Sequence, residues 1–150
     1  NNLTLRLSGA ESAVHAARAK LGGELISDGT VFWNSIREQT HPFFQSSSSL
    51  WRLSLKSNSP PLKLLGQQLI EWGGALRWLA CSGEGMDTEE NIIRSESILA
   101  GGNATLFRSN ESSDSAFQPP GLQMMKIYQR IKEKFDPVGI FNPGRMFRDL

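Results

Sequence analysis

Three segments of the chain alternate between two faces with the two-residue period of a β-strand. Residues 3–7 and 51–55 have Leu or Trp at every second position. In residues 75–81, Leu76, Trp78 and Ala80 would lie on one side of a strand, and Arg77, Leu79 and Cys81 on the other. Shorter segments at 24–27 and 104–108 have strand composition. The pattern therefore predicts five strands.

Other segments space their apolar residues as an amphipathic helix does. Gly22-Gly23 and Gly101-Gly102 end two of these segments, and Ser59-Pro60 precedes another. The predicted helices cover the apolar stripes at 13–21, 31–39, 62–69, 92–99 and 124–135. Strand, helix and strand thus follow one another twice. This order predicts an α+β fold, a ferredoxin-like antiparallel sheet with helices on one face plus an extra C-terminal helix and tail.

Three arginines alternate with the apolar residues of the predicted strands. If Leu and Trp face the helices, Arg6, Arg52 and Arg77 lie on the open face of the sheet. The first, third and fourth strands of this fold are neighbours, so the three guanidinium groups would form a row. Such a row can bind a carboxylate or phosphate in a bidentate manner. The alternative is an ordinary solvated sheet face.

The stretch from Glu71 to Leu79 places two tryptophans and two glycines at a junction between a predicted helix and a predicted strand. The glycines allow a tight turn or close approach of a ligand. We interpret Trp78 as a core residue, and Trp72 and Glu71 as candidates for contact with a ligand or partner.

Composition excludes several classes of function. The net charge is only +1, and the basic residues are scattered along the chain, so the sequence implies no nucleic-acid partner. An RNA-binding ferredoxin-like domain would need exposed aromatic residues on its central strands, and the sequence assigns none. One Cys and two His cannot form a soft four-ligand zinc site, so no metal is predicted. Catalytic triad, P-loop, GxGxxG and CxxC motifs are absent. The triplet Gly83-Glu84-Gly85 is either a phosphate contact or a plain loop.

The C-terminal residues, FDPVGIFNPGR at 135–145, resemble the signature that ends FAD-linked oxidases of the vanillyl-alcohol oxidase type. With EWGGALRWL at 71–79 and SLWRLSL at 49–55, the chain is most similar to FAD-binding subunits of glycolate oxidases. The resemblance implies that residues 1–150 form the C-terminal, substrate-side cap domain. Residues 122–150 would be a terminal helix and tail that return toward a separate FAD-binding domain, with Asn142, Gly144 and Arg145 near the cofactor.

The resemblance also implies an activity and partners. The full-length protein would oxidise a small 2-hydroxy acid, glycolate to glyoxylate, with FAD held mainly by an N-terminal domain that precedes residue 1. Arg6, Arg52, Arg77 and Trp72 are the candidates for facing substrate or flavin, and catalytic residues are not assigned. Other oxidase subunits, including an iron-sulfur subunit, are the expected partners.

Two further expectations accompany this interpretation. The chain begins Asn1-Asn2 without an initiator Met, so we expect a piece of a longer protein that is inactive alone. We expect it in the cytoplasm, either free or peripheral at the membrane through the complex.

Paired His motifs of the related catalytic subunits are missing, since only His15 and His41 are present. The alternative function is therefore a non-catalytic module that docks the catalytic subunit.

Overall fold

A computed structural model describes residues 2–81, 86–110, 116–147 and 150, apart from the side chains of residues 86–88. The triplet Gly83-Glu84-Gly85 therefore lies outside the described residues. The chain divides into two compact units, Asn1–Glu38 and Gln39–Leu150.

The first unit contains two helices, α1 (Glu11–Leu21) and α2 (Gly29–Arg37). As predicted, Gly22 ends α1 with a positive φ of 70°, and its N–H bonds the carbonyl of Arg18 at 2.9 Å. The predicted strands at 3–7 and 24–27 are wrong, because residues 2–38 form no strand. Alternation supplies a hydrophobic face, but a strand also needs a neighbour for its backbone groups.

The second unit is built on a four-stranded antiparallel sheet. Its strands pair in the order β2-β3-β1-β4, which is the ferredoxin-like order, and the predicted α+β fold class is confirmed. The elements in chain order are α3 (Pro42–Gln45), β1 (Ser49–Ser54), β2 (Gln67–Glu71), a 3-10 turn (Trp72–Gly74), β3 (Leu76–Cys81), α4 (Met86–Leu99), β4 (Asn103–Ser109) and α5 (Leu122–Phe135).

One face of the sheet carries the main core. Trp51 and Leu53 of β1 lie opposite Leu79 and Arg77 of β3, so these side chains point to the same side. Ile93 of α4 is packed into this face and is 1% exposed. The other members of the buried cluster are Leu55, Leu64, Cys81, Ala104 and Leu106.

The opposite face is partly covered by aromatic side chains. Trp78 contacts Phe44 of α3 and Phe107 of β4 edge-on, with ring centroids 5.6 Å and 5.0 Å apart. Leu50 is fully buried on the same side. The predicted open face is therefore closed by Phe44, Trp78 and Phe107 where these rings pack, and Trp78 is the core residue that the sequence indicated.

The predicted helix at 62–69 is wrong, because residues 62–66 have no regular secondary structure and strand β2 begins at Gln67. Pro60 is followed by Pro61, and a residue before proline is driven away from the helical region. The Leu spacing at 62, 65 and 69 fits a helix, but Pro61 disfavours a helical conformation at Pro60, and Gly66 interrupts the segment with a φ of 115°.

The two edges of the sheet differ. Along β4, Leu106 N–H donates to the carbonyl of Ala116 at 2.8 Å, and Ala104 N–H donates to the side chain of Gln118 at 2.8 Å. Along β2, the backbone bonds only β3 within the part of the chain that the structure describes. One edge is thus covered by residues 116–118 and the other is open.

Substitution of Gly102 tests the close packing where α4 returns to the sheet. A Cβ at this position would overlap the carbonyl oxygen of Ser54 and the side chain of Leu55. We expect Gly102→Ala to lower the free energy of unfolding by about 1–3 kcal/mol. Denaturant unfolding measures the change. Gly121→Ala is the matched control, since a Cβ there meets no atom within 4 Å; an equal loss in both variants would contradict the packing argument.

Candidate functional site

The side chain of Arg77 is buried at the base of the β2–β3 turn and is only 3% exposed. Its guanidinium donates to the carbonyl oxygens of Ser59 at 2.5 Å, Pro60 at 2.7 Å and Gly74 at 3.4 Å. Five N–H donors in a fixed fork suit such a set of acceptors. Arg77 therefore ties the segment before β2 to the turn after it and is not available to an anion.

The predicted row of three arginines is wrong. Arg77 lies opposite Leu53, on the face that carries the main core, whereas Arg52 lies opposite Trp78 and Thr105 on the other face. Arg6 is outside the sheet, in the first unit. The prediction assumed that all Leu and Trp positions share one face, but Trp51 and Trp78 point to opposite faces.

Arg52 and Arg6 keep the accessibility that a binding residue needs. Arg52 is exposed on the sheet face that carries Trp78. Arg6 is exposed at the lining of a cleft of about 600 Å³ within the first unit, where Arg18 and Arg37 also lie. The structure thus places the two candidates in different units, and Arg52 lies on the sheet face opposite to that of Arg77.

Trp72 is displayed at the tip of the β2–β3 turn, with 81% of its surface exposed. Its φ of 51° is in the left-handed region, which is unusual for a bulky residue, and Gly73 and Gly74 follow at 59° and 96°. A Cβ on Gly74 would lie 2.5 Å from the carbonyl oxygen of Ser57. Close packing of Gly74 on Ser57 thus constrains the backbone of the turn that carries the exposed Trp72.

Glu71 supports this turn from below. Its carboxylate accepts a hydrogen bond from the indole N–H of Trp78 at 2.7 Å. The sequence had suggested Glu71 as a partner contact, but the side chain instead satisfies the polar atom of a buried tryptophan.

Helix α5 turns its predicted apolar stripe away from its own unit. Met124, Ile127, Ile131 and Phe135 are each between 46% and 81% exposed. The partly or fully buried positions follow a different line along the helix and beyond its end, at Met125, Gln129, Lys132 and Asp136. The helix is amphipathic as predicted, but its apolar face is uncovered.

Asp136 is the buried polar residue that organises the tail after α5. Its carboxylate accepts the backbone N–H groups of Ile140 at 3.0 Å and Phe141 at 2.9 Å. The ammonium of Lys132 lies 2.7 Å from the same carboxylate and also donates to the carbonyl of Phe141. The hydrogen bond from Lys132 and these backbone bonds lower the pKa of Asp136 to about 2.

The rest of the tail folds back on α5 without entering a core. The Phe147 ring stacks on Tyr128 with centroids 6.1 Å apart and meets Phe117 edge-on at 6.4 Å. Asn142 has a φ of 47°, and its carbonyl accepts the N–H of Arg145 at 3.2 Å. Asn142, Gly144 and Arg145 are exposed in this turn.

The surroundings of the Cys81 thiol and the His41 imidazole indicate structural roles. Burial and the nearby Glu89 carboxylate raise the pKa of Cys81 to about 11, which keeps the thiol protonated. His41 Nδ1 caps α3 by accepting the N–H of Phe43 at 3.2 Å. Across the described ranges, no three His, Cys, Asp or Glu side chains could hold a metal ion. Nor is any described helix long and apolar enough to cross a membrane.

Two glycines and one arginine of the second unit are closed to a phosphate-bearing cofactor such as FAD. A dinucleotide needs glycine backbone that phosphate can approach. Gly74 and Gly102 instead lie against the backbone of Ser57 and Ser54, and the Arg77 guanidinium is occupied by carbonyls.

Sequence reasoning missed the roles of Asp136 and Lys132. The signal was available, because an acidic residue followed by Pro and Gly can accept N–H groups of the turn that it starts. The i, i+4 spacing of Lys132 and Asp136 also favours an ion pair on a helix.

Substitution of Arg77 by a side chain of similar length tests its role as a structural clamp. Arg77→Met leaves three carbonyl acceptors without their donor, so we expect a loss of about 2–4 kcal/mol in the free energy of unfolding. Denaturant titration measures this loss. The control Arg52→Met, at an exposed position of the adjacent strand, should change stability by less than about 0.5 kcal/mol. Equal effects would contradict the assignment.

The pH dependence of the tail follows from the lowered pKa of Asp136. A carboxylate with a folded-state pKa of about 2 and an ordinary value of 3.8 stabilises the fold fully above pH 4. Its contribution should be lost as the pH falls from about 4 to about 2. The amide resonances of Ile140 and Phe141 report this titration by NMR. A midpoint near 3.8 would show that the carboxylate is not held.

Comparison with known proteins supports the motif-based resemblance. Over all 150 residues, the chain is 44% identical to glycolate oxidase subunit GlcE of Escherichia coli (strain K12). It spans 40% of that protein's length. No family model and no solved structure matches the chain. The resemblance inferred from the sequence is confirmed, and the chain is a homologue of part of the glycolate oxidase subunit GlcE.

Proposed function

We propose that the full-length protein containing this chain is an FAD-dependent 2-hydroxy-acid oxidoreductase subunit that takes part in oxidising glycolate to glyoxylate. The observation that carries the proposal is the 44% identity to a glycolate oxidase subunit along the whole chain. In this proposal residues 1–150 form the substrate-side cap domain. FAD would be bound mainly by the remaining polypeptide and would supply the redox chemistry.

The outward apolar face of α5 supports a docking role within the same polypeptide. Ile127, Ile131 and Phe135 are exposed on this face, and Val138, Ile140 and Phe141 continue it into the tail. The relative is longer than this chain, which spans 40% of it. A contiguous exposed apolar surface is typical of an interaction site. The FAD-binding part of the polypeptide is the proposed occupant, which would bring Asn142, Gly144 and Arg145 toward the cofactor.

Arg52 is the residue of the sheet that we assign to anion binding. Its side chain is exposed beside the Trp78 and Phe107 rings, where a guanidinium can meet a carboxylate. Its contribution would be to position the substrate, with a group of fixed charge. Arg77 is not assigned this role, because backbone carbonyls occupy its donors.

The second candidate function is a non-catalytic module for assembly of the oxidase complex. The exposed Trp72 at the tip of the β2–β3 turn favours it, since tryptophan is enriched among residues that dominate protein interfaces. The partners would be the catalytic subunit and an iron-sulfur subunit. The complex would operate in the cytoplasm or at the cytoplasmic face of the membrane.

Arg52→Gln in the full-length protein, assembled with its companion subunits, separates the two functions. A substrate-binding role predicts a KM for glycolate raised about tenfold or more, with unchanged subunit association. An assembly role carried by Trp72 predicts an unchanged KM in Arg52→Gln, and weaker subunit association with unchanged turnover by the remaining complex in Trp72→Ala. Lys63→Gln, which removes an exposed cation outside the sheet, is the control. Wild-type complex that leaves glycolate unoxidised would overturn the proposed activity.

Docking of α5 is tested by the double substitution of Ile127 and Ile131 with Gln. In the full-length protein we expect a lower unfolding midpoint, because buried apolar contacts are lost. In residues 1–150 alone the midpoint should change little, since both side chains are half exposed there. Glu133→Gln, also exposed on α5, is the control and should alter neither. Equal sensitivity of the short and full-length chains would contradict docking.

A further inference from the structure

The tail after α5 has a fixed shape although its apolar side chains lie outside any core. Val138, Ile140 and Phe141 are 63% to 79% exposed. The backbone between them is nonetheless held, since Gly139 N–H donates to the carbonyl of Asp136 at 3.0 Å. We define residues 136–145 as the docking loop. Its order must come from polar contacts, because hydrophobic burial supplies little.

The carboxylate of Asp136 supplies most of these polar contacts. It accepts two consecutive backbone N–H groups, of Ile140 and Phe141, and is itself only 7% exposed. Two consecutive N–H groups that converge on one carboxylate fix the direction in which the chain turns. As a result the side chains of Ile140 and Phe141 point outward, where they are exposed.

Lys132 completes the arrangement from the preceding turn of α5. Its ammonium contacts the Asp136 carboxylate at 2.7 Å and donates to the carbonyl of Phe141. One lysine thus bonds both the start of the docking loop and its middle. Both charged groups lie on the inward side of the helix, and the apolar stripe lies on the outward side.

From this geometry we infer that Asp136 and Lys132 are positioning residues that preform the docking loop for the remainder of the polypeptide. The inference rests on the proposed function, which identifies that polypeptide as the FAD-binding part. A loop that is already ordered binds without the entropic cost of folding on contact. The occupant meets Phe135, Val138, Ile140 and Phe141 as one apolar surface, and the turn at Asn142 to Arg145 follows directly.

The test compares wild type, Asp136→Asn and Glu133→Gln in the full-length protein. Asp136→Asn keeps the shape of the side chain but removes the charge that Lys132 and the two N–H groups bond. Glu133→Gln removes one negative charge from the same helix at an exposed position without a described partner. Hydrogen exchange of peptides covering residues 137–147 and the dissociation constant for FAD are measured on each protein.

For Asp136→Asn we expect exchange in residues 137–147 to be at least tenfold faster, which corresponds to loss of a charge-assisted hydrogen bond. FAD should dissociate more readily by a similar factor, while Glu133→Gln matches wild type in both measurements. Lys132→Met should change both in the same direction. The double variant Lys132→Met/Asp136→Asn should be less impaired than the product of the single effects, because the two residues act as one pair.

Three results would overturn the inference. Unchanged exchange in Asp136→Asn would show that the carboxylate does not order the loop. Faster exchange with unchanged FAD binding would show that loop order does not serve docking. Equal effects of Glu133→Gln would assign the change to helix charge. A wild-type protein that binds no FAD would overturn the proposed function, whereas the exchange measurement alone would still report whether Asp136 orders the loop.

Discussion

Hydrogen bonding of β1 to β3 on one side and to β4 on the other is the interaction on which the second unit depends. β1 precedes both partners in sequence, so the sheet closes only when segments about 25 and 55 residues later return to it. The pairing register places Trp51 and Leu53 on the side that Ile93 of α4 covers. The same register sends Arg52 to one side and Arg77 to the other. The chemistry available on each face is therefore decided by strand pairing.

The sequence predicted those parts of the fold in which a local pattern and its environment agree. Residues 51–55 and 75–81 alternate, residues 104–108 have strand composition, and all three find neighbouring strands; the glycine pairs at 22–23 and 101–102 end helices as expected. The sequence-based prediction failed where the hydrophobic pattern was present but another condition for the element, a pairing strand or a helix-compatible backbone, was not met. Residues 3–7 alternate without a paired neighbour, and Pro61 and Gly66 disfavour the helix that the leucines suggest. A one-dimensional pattern does not contain either requirement directly.

The candidate site was less predictable than the fold. Whether a polar side chain can bind a ligand depends on whether other residues already fill its hydrogen-bonding groups, and this is known only from the folded structure. The sequence suggested Arg77 as an anion ligand, but its guanidinium N–H groups donate to the carbonyl oxygens of Ser59 and Pro60. The carboxylate of Glu71 similarly accepts a hydrogen bond from the indole N–H of Trp78. The tail motif did identify the family, since it preserves turn and apolar residues together. The tail motif also contains the local signal for Asp136, an acidic residue before Pro and Gly, but only the folded turn identifies its partners as the N–H groups four and five residues away.

The covered and open edges of the sheet give it a polarity. Residues 116–118 bond the outer side of β4, so no further strand can join there without displacing them. β2 offers its outer backbone groups beside the exposed Ile70 and Trp72, within the part of the chain that the structure describes. Any polypeptide that extends this sheet must therefore add at β2.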